Sequence, residues 1–286
     1  MQLTDPNIIK EIRKKFGFDF KKDFGQNFLT SKTVLEDICD AADGADGILE
    51  IGPGFGTLTN ELAYHFDKVV AVEIDNRLPE ILAYTLAEHN NVKVVQGDCM
   101  QMDLAKLIKE EFGDGKVSVA ANLPYYITTP IITTLLENKL PLDKIVVMVQ
   151  KEVAQRLCAK PGTKDYGAIS VLCAYYTEPG MVTKVPAGCF VPAPKVDSAV
   201  VAMKVLDKPS VQVIDEKRFF SVVKSGFSQR RKTLCNCLSS SFHLEKSVVA
   251  DALLKLDIEP TRRGETLSVY EYAKVSDLFV KEGLFK

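Results

Sequence analysis

The chain has 286 residues, 46% apolar and 26% charged, with a formal net charge of −2. That suits one large soluble domain, or an ordinary domain plus a small one, each with a filled core. No apolar run approaches the ~18 residues of a membrane span, and "MQLTDPNIIKEIRKKF" lacks the apolar centre of a signal peptide, so a cytoplasmic location is expected.

Seven cysteines, an odd number with no C-x-x-C pair, argue against a disulfide framework or a structural zinc site. The "CNC" at Cys235–Cys237 reads as buried helix thiols, because tetrahedral ligand spacing is absent, and no metal is expected. Charge is segregated. Residues 36–115 carry 5 Lys/Arg against 17 Asp/Glu, residues 1–32 carry 7 against 4, and residues 215–235 carry 6 against 2. The two basic segments read either as solvated helix faces or as local contacts for a polyanion.

In chain order, "TSKTVLEDICDAA" reads as a helix, with Thr33 and Glu36 at capping-box spacing. From Ile48 short apolar runs alternate with helical segments. "ILEIG" precedes "TLTNELAYHF", "KVVAVEID" precedes "RLPEILAYTLAEH", and "VKVVQGD" precedes "MDLAKLIKEEF". "KVSVAANLP" then precedes "TPIITTLLEN", and "KIVVMVQ" precedes "KEVAQRLCA". This is the βαβ pattern of a parallel sheet covered on both faces. Two further strands, "GMVTKVP" and "SAVVAMKVL", flank the Pro-punctuated "CFVPAPKVD". "LDKPS" reads as a linker, and from Asp215 only helical periodicity follows. The expected organisation is a cofactor-binding α/β domain over 1–206 and a small all-helical domain over 207–286.

"EIGPGFGTLT" places Gly52, Gly54 and Gly56 between the first sheet strand and a helix, where a backbone free of Cβ atoms admits a ligand. The spacing is G-x-G-x-G, and Thr57 stands where the dinucleotide fingerprint has its third glycine. That disfavours a nicotinamide dehydrogenase. Glu50 lies just before the loop. Glu73 ends the second strand, where it can accept from both hydroxyls of a ribose, and Asp98 ends the third, where it can accept from an adenine amine. A ribose and adenine without a pyrophosphate describe S-adenosylmethionine, whose methyl group the protein has only to hold and orient.

"NLPY" at 122–125 resembles the Asn/Asp-Pro-Pro-Tyr/Phe type of motif of amino-group methyltransferases. With "GQNFL", "EIGPGFGTLT", "FVPAPKVDSAVV" and "FSQRRKTL", all in this order, the chain from about residue 20 onward resembles the ribosomal RNA adenine dimethyltransferases. Within them it looks like the small-subunit branch, which dimethylates two adjacent adenosines near the 3′ end of 16S rRNA. The resemblance implies a Rossmann-like class I methyltransferase sheet with a helical C-terminal domain. It also implies S-adenosylmethionine as cofactor and, as partner, 16S rRNA within the small ribosomal subunit or its precursor, bound by a monomer.

Residue by residue, it implies that Asn27 and Leu29 cover the cofactor. Gly52, Glu73, Asp98 and Asn122 match its binding points, and Phe190 matches an aromatic facing the target base. The chemistry supports this. An exocyclic adenine amine is a poor nucleophile, and acceptors on its two N–H groups favour a pyramidal nitrogen. Asn122 offers a side-chain carbonyl and Leu123 a backbone one; Pro124 stiffens the turn and Tyr125 can stack on an extruded base. Positioning supplies most of such catalysis, so no strong base is required. Tyr126 is a departure, since relatives often carry a polar residue there. Lys14, Lys15, Lys21 and Lys22, and Arg230, Arg231 and Lys232 at a helix start, are the expected contacts for RNA phosphates. Two other readings stay open: the branch that modifies large-subunit rRNA, and a non-catalytic RNA-binding or assembly factor that keeps the fold.

Overall fold

The computed structural model describes residues 1–19 and 27–285. The chain forms two units. The first comprises Met1–Ala154 and Pro179–Val205; the second comprises Gln155–Glu178 and Leu206–Lys286.

The first unit opens on helix α1 (Pro6–Phe16). Asp5 caps it by accepting from the Asn7 amide at 2.8 Å, Pro6 sits where a missing N–H costs nothing, and Gly17 ends it in the left-handed region. The short β1 (Phe28–Leu29) and α2 (Lys32–Ala42) follow. The N-cap of α2 is Ser31 and makes no side-chain cap bond. Thr33 lies inside the helix, so the expected Thr33–Glu36 capping box does not form.

The strands β2 (Gly47–Ile51), β3 (Lys68–Glu73), β4 (Val92–Gln96), β5 (Val117–Asn122) and β6 (Leu142–Gln150) are parallel. Their crossovers are α3 (Thr57–His65), α4 (Leu78–Thr85), α5 (Leu104–Phe112) and α6 (Thr128–Glu137). After α7 (Lys151–Leu157) and α8 (Ala168–Tyr176), β7 (Thr177–Val185), the two-residue β8 (Phe190–Val191) and β9 (Ser198–Val205) complete the strands.

The sheet order is β4-β3-β2-β5-β6-β9-β7, and β9 runs antiparallel to β6. The order reverses between β2 and β5, and a crevice opens outside the carboxyl ends of strands at such a switch point. One face of the sheet is covered by a cluster in which Val34, Leu35 and Ile38 of α2 pack with Ile48, Leu58, Leu62 and Val146. A second cluster joins Ile9 and Ile12 of α1 to Leu78, Ile81 and Leu82 of α4 around Phe55 of the glycine loop. The Phe55 ring, fully buried, stacks on Phe28 at 4.2 Å and meets Phe18 edge-on at 5.0 Å. Emptying such a site costs about 3–5 kcal/mol, so a loop that the glycines leave loose is held from below by one ring.

The second unit contains α8, α9 (Glu216–Gly226), α10 (Leu234–Phe242), α11 (Lys246–Leu254) and α12 (Val269–Lys281). Against the expected division after residue 206, Gln155–Glu178 belongs to it as well. The physical reason is aromatic packing: Tyr175 stacks on Phe219 at 4.9 Å, and the Tyr176 hydroxyl donates to Glu216 at 2.7 Å. Cys235 and Cys237 are buried on α10. No described helix is long and apolar enough to cross a membrane.

Candidate active site

A cavity lies at the switch point, lined from β2, the glycine loop, the end of β3, the end of β5 and residues 27–29. Of the expected cofactor contacts, Asn27, Leu29, Gly52, Gly54, Glu73 and Asn122 line it; of the expected catalytic group, Asn122, Leu123, Pro124 and Tyr125 do.

The glycine loop divides by position. Gly54 has φ +60°, and a Cβ there would come within 2.9 Å of the Phe28 ring, so both backbone and space demand glycine. Gly56 has φ +85°, and a Cβ would meet Leu82 and Leu86 at 3.1–3.2 Å. It lies outside the lining, facing Leu82 of α4 and Leu86 just beyond it, which differs from its expected place among the cofactor contacts.

Glu73 is 4% exposed. Its Oε1 accepts from the Asp75 amide at 2.8 Å, and its Oε2 accepts from the Gly54 amide at 3.3 Å. Each oxygen keeps a second lone pair for the cavity. Burial raises the Glu73 pKa; the two backbone bonds oppose that rise, and the nearby Asp75 adds to it. Asp75 is itself paired with Arg77, whose Nε donates at 2.9 Å, and the Arg77 guanidinium lies 4.3 Å from the centre of the Phe18 ring. Glu50, 1% exposed, also lines the cavity, and its Oε2 has no hydrogen-bond partner among the described residues. Burial pushes its pKa up to about 8; the Thr59 hydroxyl pulls the other way, though it falls short of hydrogen-bond geometry, and the Glu73 charge adds to the rise.

At the end of β5 the Asn122 amide is held. Its Nδ2 donates to the backbone carbonyl of Asn27 at 3.0 Å, which leaves Oδ1 as the acceptor end. The Leu123 amide donates to the Met148 carbonyl at 3.2 Å, while the Pro124 carbonyl accepts from the Thr128 hydroxyl at 3.1 Å and the Ile127 amide at 3.2 Å. These bonds tie the turn to β6 and to the start of α6. The Tyr125 hydroxyl is 2.7 Å from Ser198 Oγ, so the ring is pinned at its far end; burial raises its pKa and that bond opposes the rise. Tyr126 is 61% exposed and also lines the cavity.

Other expected residues sit elsewhere. Phe190 is 3% exposed and belongs to the core cluster rather than the lining. Its backbone pairs with Leu29 in the antiparallel β1–β8 ladder, so it braces the segment that covers the cavity; the expected base-facing position is not where the ring lies. Asp98 is half-buried beyond β4 and outside the lining. It accepts from the Met100 amide at 2.9 Å and from Gln101 Nε2 at 3.0 Å, which shapes the turn. Lys14 and Lys15 are exposed in the last turn of α1, where cations suit the dipole, and Lys15 Nζ lies 3.4 Å from the centre of the Tyr84 ring. Lys21 and Lys22 fall outside the described residues.

In the second unit Arg230, Arg231 and Lys232 occupy the turn before α10, whose N-cap is Thr233. Arg230 Nη2 donates to the Lys164 carbonyl at 2.8 Å. Among the described residues, Arg231 and Lys232 have no ion-pair partner. Ile74, 52% exposed in the cavity wall, was not singled out from sequence; its signal was an apolar side chain directly after a strand-end acid.

These residues fit adenosylmethionine. Among the described residues the site offers acceptors but no buried cation, an orphaned carboxyl oxygen, and at Gly52 open space where a Cβ would stand. A cationic nucleoside with ribose hydroxyls to donate matches that set; a pyrophosphate does not.

Comparison with known proteins agrees. Residues 17–275 match the family model described as ribosomal RNA adenine dimethylase. The chain is 50% identical over 284 residues to the ribosomal RNA small subunit methyltransferase A of Bacillus cytotoxicus, with 97% of each chain covered. It is 46% identical over 284 residues to the protein of the same name from Alkaliphilus oremlandii, covering 98% of this chain and 99% of that one. Among solved structures it is similar to a dimethyladenosine transferase from Plasmodium falciparum, with TM-score 0.74, 26% identity, and 90% and 98% of the two chains covered. It is also similar to the 23S rRNA methyltransferase ErmE, with TM-score 0.66, 25% identity, and 88% and 99% covered. The fold is that of a class I methyltransferase. Because the matched span takes in the glycine loop, the strand-end acids and the Asn122 turn together, the chain belongs to the ribosomal RNA adenine dimethylase family.

Proposed function

We propose that this protein transfers methyl groups from S-adenosylmethionine to the N6 amines of two adjacent adenosines near the 3′ end of small-subunit (16S) rRNA. On this reading it works as a cytoplasmic monomer on the assembling subunit or its precursor. The observation that carries the reading is the anchored Asn122 amide, which presents an acceptor to the cavity that two buried acids also line. The names of the near-full-length relatives support the small subunit over the large one.

Bound adenosylmethionine supplies an electrophilic methyl group. Glu73 would accept from its ribose hydroxyls, with Asn27 and Leu29 lining the same cavity. Asn122 Oδ1 and the Leu123 carbonyl accept the two N–H bonds of the target amine, so its lone pair points along the line of transfer. Tyr125, pinned through Ser198, offers its ring face to the extruded base. The methylated amine then loses a proton to water. The first unit holds this chemistry, and the second grips RNA through Arg230, Arg231 and Lys232.

Methylation in vitro with purified small and large subunits, read by mass spectrometry of the rRNA, tests the function. Dimethyladenosine at two neighbouring positions of the small-subunit RNA is expected; label confined to the large subunit would sink the proposal. For the basic turn, Arg231→Ala with Lys232→Ala should flatten the slope of log affinity against log salt by about 1.5–2, the loss of two phosphate contacts. Arg230 is left unchanged because its loss would also break the bond to the Lys164 carbonyl. An unchanged slope would remove this turn from the RNA surface.

A further inference from the structure

Glu50 is the buried acid to which the reading above gives no task. A carboxylate taken out of water with neither donor nor cation is strongly disfavoured, and such a group keeps its proton instead. Among the described residues around Glu50, only the Thr59 hydroxyl opposes the effect of burial, and it falls short of hydrogen-bond geometry. On β3, Glu73 faces the same cavity and its charge acts on Glu50. On α3, the Thr57 and Thr59 hydroxyls are themselves without partners, and Glu61 is a further acid on that helix. On α2, Cys39 is a buried thiol pushed up to about 12, mainly by burial, with Glu61, Asp40, Glu50 and Glu36 adding to it. On β5, the register partner of Glu50 is the neutral Ala120. No lysine, arginine or histidine is among the charges that act on Glu50.

Among the described residues no cation acts on Glu50, and Glu50 lines the cavity. We propose that Glu50 is protonated while the cavity holds no cofactor and ionises when the sulfonium-bearing cofactor enters, releasing one proton to solvent. The inference rests on the adenosylmethionine reading of the site. The step balances: the carboxyl O–H bond breaks, the proton goes to the buffer, and the carboxylate left behind faces the net positive charge of the ligand. The sign follows. The empty-site group has a raised pKa, and a cation beside it lowers that pKa. Affinity for the cofactor thus rises with pH below the empty-site value of about 8 and levels off above it. One consequence is selectivity: a neutral nucleoside of the same shape cannot drive the ionisation.

Calorimetry of the full chain with adenosylmethionine, in two buffers of different ionisation enthalpy, reads the proton directly. Release of close to one proton per site at pH 7 is expected, with Kd falling about tenfold between pH 6 and pH 7. Glu50→Gln, nearly isosteric and uncharged, should abolish both effects, with a thermal melt to confirm that it is folded. Wild-type binding with no proton released overturns the inference, with no variant needed. Proton release unchanged in Glu50→Gln also overturns it and assigns the proton to another group such as Glu73. No adenosylmethionine binding by the wild type at any pH overturns the cofactor reading itself, and the inference with it.

Discussion

Asn122→Ala should lower kcat for methyl transfer by about 10²–10³-fold, the scale of losing one preorganised polar group aimed at the reacting centre. The substitution deletes the Oδ1 acceptor and also cuts the 3.0 Å bond to the Asn27 carbonyl, so residues 27–29 lose a tether to the end of β5. Asn122→Asp separates the two effects. It keeps an acceptor in place but sets a carboxylate oxygen against the Asn27 carbonyl, so it should retain more activity than alanine and less than the wild type. Incorporation of labelled methyl into small subunits measures both; near-wild-type turnover by Asn122→Ala would show that the amine is held elsewhere.

Glu73→Ala should weaken cofactor binding by at least about 10²-fold. Hydrogen bonds to a charged acceptor contribute about 1.5–3 kcal/mol each, and two are expected to the ribose, which converts to two decades or more in Kd. The same change strands the Asp75 and Gly54 amides, so a loss of stability of about 1–3 kcal/mol should accompany it. Calorimetry reads the first effect and denaturant titration the second. If stability falls and Kd holds, Glu73 is a brace for the glycine loop and not a cofactor ligand.

Much of the candidate site is legible in the sequence because its chemistry is local. A strand end, a run of glycines and an acid at the next strand end are neighbours in the chain, and the parallel sheet puts them side by side whatever else happens. "NLPY" carries its own turn and its own acceptors in four residues. Phe190 was harder to read. The resemblance implies an aromatic that faces the target base, yet Phe190 belongs to the core cluster and its backbone pairs with Leu29 in the β1–β8 ladder. Gly56 resembled its two neighbours until the positions of Leu82 and Leu86 showed which side it faces. Helix α8 was missed because "AISVLCAYY" is apolar nearly all round, and only its aromatic partners on α9 say where it belongs. A capping box forms at the start of α12 between Ser268 and Glu271, while the one expected at Thr33 lies inside a helix.

By itself the sequence determined the alternation of strands and helices, the glycine loop, the acids at successive strand ends and the Asn122 turn, since each depends on residues only a few positions apart. The tertiary structure alone decided the rest. It brought residues 28–29 against 190–191, inserted an antiparallel β9 beside β6, and left Glu50 buried with an oxygen that no described residue satisfies. The reason is physical: pairing across some 160 residues and the solvation of a single carboxyl depend on everything packed around them, and no short stretch of chain encodes that.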